Sequence, residues 1–120
     1  MSTYQYAKTK RTYSFNYRNT KWLLYADSPY AVLAGDDLIN VNPASGIVAI
    51  TLPAIPKDPK GYFFQCHTSA SNSVVISPTG ADTIDKTTSF TMTAIADWVW
   101  LCGNPLTKNW EVVDTSVAPS

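Results

Sequence analysis

Residues 35–53 read GDDLINVNPASGIVAITLP, and this stretch decides the fold class. Its second half alternates: Val48, Ile50 and Leu52 share one face, and Ile47, Ala49 and Thr51 share the other. A period of two marks a strand with one face buried and one face out. The first half, DLINVN, is a second strand signal. Between them PASG supplies Pro, Ser and Gly, the residues of a turn. Gly35-Asp36 closes the strand-like YAVLA that precedes it.

The same grammar continues in both directions. After the proline-rich AIPKDPK, where Pro56 and Pro59 forbid a central strand, GYFFQCHTS sets Tyr62, Phe64 and Cys66 against Phe63, Gln65 and His67. SVVIS, SFTMTA, DWVWLCG and WEVVD follow, separated by ASN, PTGAD and NPLTKN. In DWVWLCG, Trp98, Trp100 and Cys102 oppose Val99 and Leu101, and the tryptophan face is expected to be core. TAIADWVWL has some helical propensity, but the bulky run 98–100 favours a strand. Toward the N-terminus, RTYSFNYRN places Tyr13, Phe15 and Tyr17 on one face, and KWLLYA is a short apolar stretch ending at a turn. Residues 1–11 have no periodicity beyond Tyr4 and Tyr6 and read as an arm.

Nine or ten short strands with turns every 8–12 residues predict an all-β domain, a small antiparallel β-sandwich of jelly-roll type with an extended N-terminal arm. No internal period suggests a solenoid. The boundaries expected are 1–30 for the arm and first strand, 31–114 for the sandwich, and 115–120 for a frayed tail. The 120 residues suit one domain, and 45% hydrophobic residues give it a core without metals or disulfides. Only 15% of residues are charged, below the roughly 25% of an average chain, which again favours strands over solvated helices.

The net charge is zero but unevenly spread. Residues 1–26 hold Lys8, Lys10, Arg11, Arg18 and Lys21 with no acid, and all nine acids lie in 27–120. A basic end on an acidic body suits docking onto copies of itself or onto another acidic surface. No secretory h-region and no apolar run of 18 residues is present, so neither secretion nor a membrane partner is expected.

Chemistry finds little support. His67, the single histidine, sits mid-strand next to Cys66, which would point to the opposite face. Two cysteines and one histidine do not make a zinc site. Cys66 and Cys102 read as free thiols, with pairing left open. Asp36, Asp37, Asp82 and Asp85 could hold calcium if their turns met, but acids in Gly-containing turns ordinarily bond backbone. Glu111, the only glutamate, has no carboxylate partner arranged for glycoside hydrolysis. We therefore expect no enzyme, no cofactor and no metal. Tyr4, Tyr6, Lys8, Lys10, Arg11 and Tyr13 are the expected partner-binding residues, because Tyr and Arg anchor interfaces. Aromatic and basic residues interleaved over 4–22 could also track single-stranded nucleic acid, a partner the rest of the chain does not suggest.

Residues 35–114 resemble a β-module of tailed-bacteriophage virion proteins. The matching positions begin with Asp37, Ile39, Val41, Asn42, Gly46, Val48, Ile50, Leu52 and Pro53. They continue in GYFFQCHTSASNSVVISPTGADTID with Gly61, Asn72, Val74, Ile76, Pro78, Gly80, Asp82, Ile84 and Asp85. WVWLCGNPLTKNWEVV is similar to the last hairpin, with a loop before Trp110. The chain departs from the pattern at Lys86, where the family often has glycine, and at PLTKN, where its last turn often carries Asp-Gly.

The resemblance implies a non-enzymatic virion protein, assembled in the host bacterial cytoplasm and often trimeric. A short chain with a separate arm tilts this toward a head decoration (cement) protein bound to the major capsid protein or other virion subunits. The alternative it implies is a tail-fibre, spike or receptor-binding module for host-surface glycan, with Trp98, Trp100 and Trp110 as stacking candidates.

Overall fold

Val48, Ile50 and Leu52 are buried, and Ile47, Ala49 and Thr51 are exposed, as the alternation of residues 47–52 predicts. The computed structural model describes residues 2–6, 11–15, 19–58, 60–66 and 72–117. Among these are twelve strands: β1 (Ser2–Tyr6), β2 (Arg11–Phe15), β3 (Thr20–Leu24), β4 (Tyr30–Ala31), β5 (Leu38–Asn42), β6 (Val48–Thr51), β7 (Gly61–Cys66), β8 (Val74–Ser77), β9 (Thr83–Ile84), β10 (Phe90–Met92), β11 (Trp98–Asn104) and β12 (Asn109–Thr115). A single 3-10 turn, Tyr25–Asp27, joins β3 to β4, and no α-helix occurs among the described residues.

The strands form a six-stranded sheet in the order β3-β5-β7-β11-β12-β9, a four-stranded sheet in the order β10-β8-β6-β4, and a separate β1-β2 pair. The two larger sheets enclose one cluster of buried side chains, including Val41, Val48, Ile50, Leu52, Tyr62, Phe64, Ile76, Met92, Leu101 and Trp110. That is a β-sandwich, as expected. The Cα radius of gyration, 13.6 Å, is about the value for one compact domain of this length.

The topology differs from the antiparallel jelly-roll expectation. From β3 to β8 successive strands enter alternate sheets, so each sheet gains a parallel neighbour on every pass: β3–β5 and β5–β7 in one, β4–β6 and β6–β8 in the other. Thr20 lies beside Leu38, and Leu38 beside Phe63, as in the coils of a flattened solenoid. Within the two sandwich sheets, antiparallel pairing begins only where β10 joins β8 and where β11 joins β7 and β12. The turns explain this. Asn42 Oδ1 accepts the Ala44 amide (3.0 Å), and Asn72 Nδ2 donates to the Pro43 carbonyl (2.9 Å). They tie PASG into an arch that carries the chain across to the other sheet instead of doubling it back beside β5. Gly46 is needed there, because a Cβ would lie 2.5 Å from Tyr25 Cε1. Strand alternation carries no information on this choice, since both arrangements have the same period.

The acidic turns bond backbone and neighbouring side chains. Asp36, buried, accepts the Leu33 amide (2.9 Å) and the Tyr30 hydroxyl (2.5 Å). Asp37 accepts Lys60 Nζ at 2.9 Å, and Asp82 accepts the Ile55 amide at 3.0 Å. Burial, and then the bond to Asp36, push the Tyr30 hydroxyl well above its usual pKa.

The N-terminal region expected to be an arm contains a strand of its own. Ser2–Tyr6 pairs antiparallel with Arg11–Phe15 as a two-stranded sheet separate from the sandwich sheets.

Candidate functional site

The six-stranded sheet has two unlike faces, and the strand β11 separates them residue by residue. Val99 and Leu101 point into the sandwich, where Val99 pairs with Phe64 and Leu101 with Tyr62. Trp98, Trp100 and Cys102 lie on the outer face and are half-buried. This reverses the sequence expectation for the tryptophan face. Both sets are apolar, so alternation sorts them into two groups without saying which is inside. The four-stranded sheet covers the face that carries Val99 and Leu101, so Trp98 and Trp100 are left on the other side.

Register aligns the outer face into rows. One runs Thr20, Leu38, Phe63, Trp100, Asp114; the next runs Trp22, Asn40, Gln65, Trp98. Phe63 and Trp98 stack, with ring centroids 5.6 Å apart and planes 10° apart. Trp100 lies over Gly61, where a Cβ would come within 2.9 Å of its indole nitrogen. Phe63 and Asn40 are each only 4% exposed although they belong to the outer face. Trp22, Phe63, Trp98, Trp100 and Asp114 are each engaged in further contacts. At the β3 edge the surface opens: Trp22 is 63% exposed and Leu24 56%. The result is an aromatic platform with amides between the rings. Such a surface buries area against a protein partner or stacks on sugar rings. KWLLYA carried the sequence signal for its exposed edge, but a lone apolar hexapeptide does not say that Trp22 faces out.

Of the expected partner-binding residues, four lie on the N-terminal hairpin. Tyr4 is opposite Tyr13 and Tyr6 is opposite Arg11. Directly opposed and alternate positions share a face, so the register brings these four positions, with Phe15, to one face. Thr3, Gln5, Thr12 and Ser14 take the other. Lys8 and Lys10 lie outside the described residues, as does His67.

The remaining candidates separate. Trp110 is fully buried, 5.7 Å from the Tyr62 ring, and is core rather than a stacking residue. Cys66 is on the inner face and Cys102 on the outer, where Cys102 pairs with Gly61 at the far end of β7. Five strand residues put their Cα atoms roughly 16 Å apart, too far for a disulfide; both thiols are free. Burial raises both thiol pKa values, with Asp97 adding to the effect at Cys66 and Glu111 at Cys102. Glu111 accepts Asn109 Nδ2 (2.9 Å) and Asn104 Nδ2 (3.3 Å), which braces the β11–β12 turn. That turn holds up Leu106, 92% exposed, beside an open hollow of about 390 Å³ lined by Cys102, Asn104, Pro105 and Glu111.

Lys86 and Lys108 occupy left-handed backbone, with φ of 64° and 57°, a region that favours glycine. These are the positions of the two loop departures noted in the sequence. The Lys86 amide is held there by Asn109 Oδ1 at 2.8 Å.

Among the described residues no group of three His, Cys, Asp or Glu side chains could hold a metal ion. Set against known proteins, the chain matches no family model and no curated sequence.

Proposed function

We propose that the chain is a non-enzymatic structural subunit of a bacteriophage particle, a decoration (cement) protein that binds and stabilises the head shell. The observation that carries the reading is the N-terminal hairpin. It is a sheet of its own, it brings Tyr4, Tyr6, Arg11 and Tyr13 to one face, and it belongs to a segment with five positive charges and no acid. In this reading the hairpin acts as the arm, and the sandwich is the body that carries it. The phage-module resemblance over residues 35–114 supports the virion assignment, and the left-handed backbone at Lys86 and Lys108 accords with a module that often has glycine in those turns.

The mechanism is burial of area across several subunits of the major capsid protein. Aromatic rings anchor, and basic groups steer the arm to an acidic surface. A homotrimer would raise affinity further, since one docked arm holds the others at high local concentration. The test is co-sedimentation with undecorated shells. The full chain is expected to bind, and the chain lacking residues 1–11 to fold but stay in the supernatant. Full occupancy by the truncated chain would overturn the reading.

A second reading is favoured by the aromatic platform: a fibre, spike or receptor-binding module whose Trp22, Trp98 and Trp100 stack on host glycan. It requires hits on a glycan array together with a shift of tryptophan emission on binding.

A further inference from the structure

We propose that the hollow beside Tyr25 is a subsite for one neutral sugar ring, a hexopyranose, at the end of the sandwich where β5 arches over to β6. The hollow has a volume of about 270 Å³ and is lined by Leu24, Tyr25, Ala26, Asn42, Ala44 and Ser45. Drug-sized ligands fill roughly 300–1,000 Å³, so this space suits a single small ring. None of the lining side chains is charged. A phosphate, carboxylate or ammonium group would lose water there without gaining a partner.

One wall is an aromatic ring held in place. Gly46 lies against a face of Tyr25: a Cβ there would stand 2.5 Å from Cε1, 2.6 Å from Cδ1 and 2.9 Å from Cζ. Three consecutive ring atoms at nearly one distance put the glycine over the face and not at the edge. A larger residue at 46 would push the ring away. The ring is otherwise open, with Tyr25 49% exposed.

The backbone around the hollow is braced on both sides. The Leu24 amide donates to Asp27 at 2.8 Å, and the Ser28 amide donates to the Tyr25 carbonyl at 3.0 Å. Ser28 Oγ accepts the Ala49 amide at 2.9 Å, which ties this turn to β6. Across the hollow, Asn72 Nδ2 holds the Pro43 carbonyl of the arch at 2.9 Å. The ring and the arch are therefore set before a ligand arrives, which lowers the ordering cost of binding.

The polar groups have capacity to spare. Asn42 Oδ1 accepts the Ala44 amide at 3.0 Å, which fixes the side-chain amide and leaves Nδ2 as the donor. Among the described residues, Asn42 Nδ2 and the hydroxyls of Ser45 and Tyr25 have no hydrogen-bond partner. A pyranose has the matching duality: a face of C–H groups that covers an aromatic ring, and a rim of hydroxyls that both donate and accept. A flat apolar ligand of the same size would cover the ring but take water from three polar groups without replacing it.

The inference goes beyond the shell-binding reading and uses none of the tryptophan platform, so each can fail without the other. The experiment follows backbone amide shifts of the full ¹⁵N-labelled chain during titration with the methyl glycosides of glucose, galactose, mannose and N-acetylglucosamine. At least one is expected to bind with a Kd of about 1 mM, with shifts concentrated at residues 24–26 and 42–46. Tyr25→Ala is expected to weaken binding about tenfold. Asn42→Asp keeps an acceptor for the Ala44 amide but loses the free donor, and is expected to weaken binding roughly threefold. The same spectra show whether each variant is folded, through the unmoved amides of Val48 and Ile50 in the core. The absence of shifts at these positions with every glycoside at about 10 mM overturns the proposal. So do shifts that fall elsewhere on the chain, or a folded Tyr25→Ala variant that binds as tightly as the parent.

Discussion

The two faces of the six-stranded sheet are made of similar residues and do different things. The inner face, with Ile39, Val41, Phe64, Val99, Leu101 and Trp110, belongs to the closed cluster between the sheets. The outer face, with Trp22, Phe63, Trp98 and Trp100, is as aromatic but grades from buried at its centre to open at β3. Hydrophobicity alone therefore does not separate core from contact surface in this molecule. What separates them is enclosure: the inner side chains are sealed along the whole face by a second sheet, and the outer face is closed only at its centre, around Phe63 and Asn40. A residue loses stability on truncation in proportion to the contacts and cavity it leaves behind, so the two faces should respond very differently to the same change.

The largest effect is expected at Trp110. Replacement by alanine empties a fully enclosed site against Tyr62 and should cost about 3–5 kcal/mol, read as a shift of the urea midpoint. The same change at Trp98, half-buried on the outer face, removes a stack on Phe63 worth roughly 0.5–1.5 kcal/mol together with its other contacts, but empties no enclosed site and should cost less than the change at Trp110. Equal losses at the two sites would erase the distinction between the faces.

Next comes Asp36, which anchors the turn before β5. Asp36→Ala leaves the Leu33 amide without its acceptor and should cost about 1–3 kcal/mol. The same cluster predicts a pH effect. Tyr30, and Tyr62 through burial and then Asp36 and Asp37, have hydroxyl pKa values raised in the folded state. The unfolded tyrosines ionise near pH 10, and the folded ones ionise only above that. Stability is thus full below about pH 10 and falls as pH rises beyond it. Denaturant melts across that range check the sign; stability rising with pH there would contradict the burial of these hydroxyls.

The thiols compare the faces directly. Both have raised pKa values, so both should alkylate slowly at neutral pH. Cys102, part-exposed, should still react before Cys66, whose modification should track global unfolding. Mass spectrometry of a labelling time course gives the order. The smallest effect is expected in the turns. Lys86→Gly and Lys108→Gly relieve left-handed backbone but loosen the unfolded chain, for a net gain of up to about 1 kcal/mol. A loss at Lys86 would mean that its lysine side chain has a role the backbone does not explain.

Much of the strand pattern was legible in the sequence because burial on one side imposes a period of two. Val48, Ile50 and Leu52, or Tyr62, Phe64 and Cys66, could be sorted by inspection and are buried as a group. The short strand β9 was not legible: Thr83–Ile84 pairs in parallel with β12 through a turn whose residues carry only loop signals. The hairpin was legible only by half. Arg11–Phe15 alternates, but Ser2–Tyr6 has too few residues for a period and becomes a strand by pairing with its neighbour.

By itself, the sequence determined that this is an all-β chain with buried alternate side chains, an acidic body and a basic aromatic N-terminal segment. These follow from local chemistry, from composition and from a repeat of two residues. Only the tertiary structure decided that the strands coil through alternate sheets as parallel neighbours, that Trp98 and Trp100 face outward while Trp110 is core, and that Trp22 stands exposed at an edge. Direction and sidedness depend on which strand lies beside which, and that is settled by the arches and by which face of the sheet the second sheet covers. Neither leaves a mark on the period of any single strand.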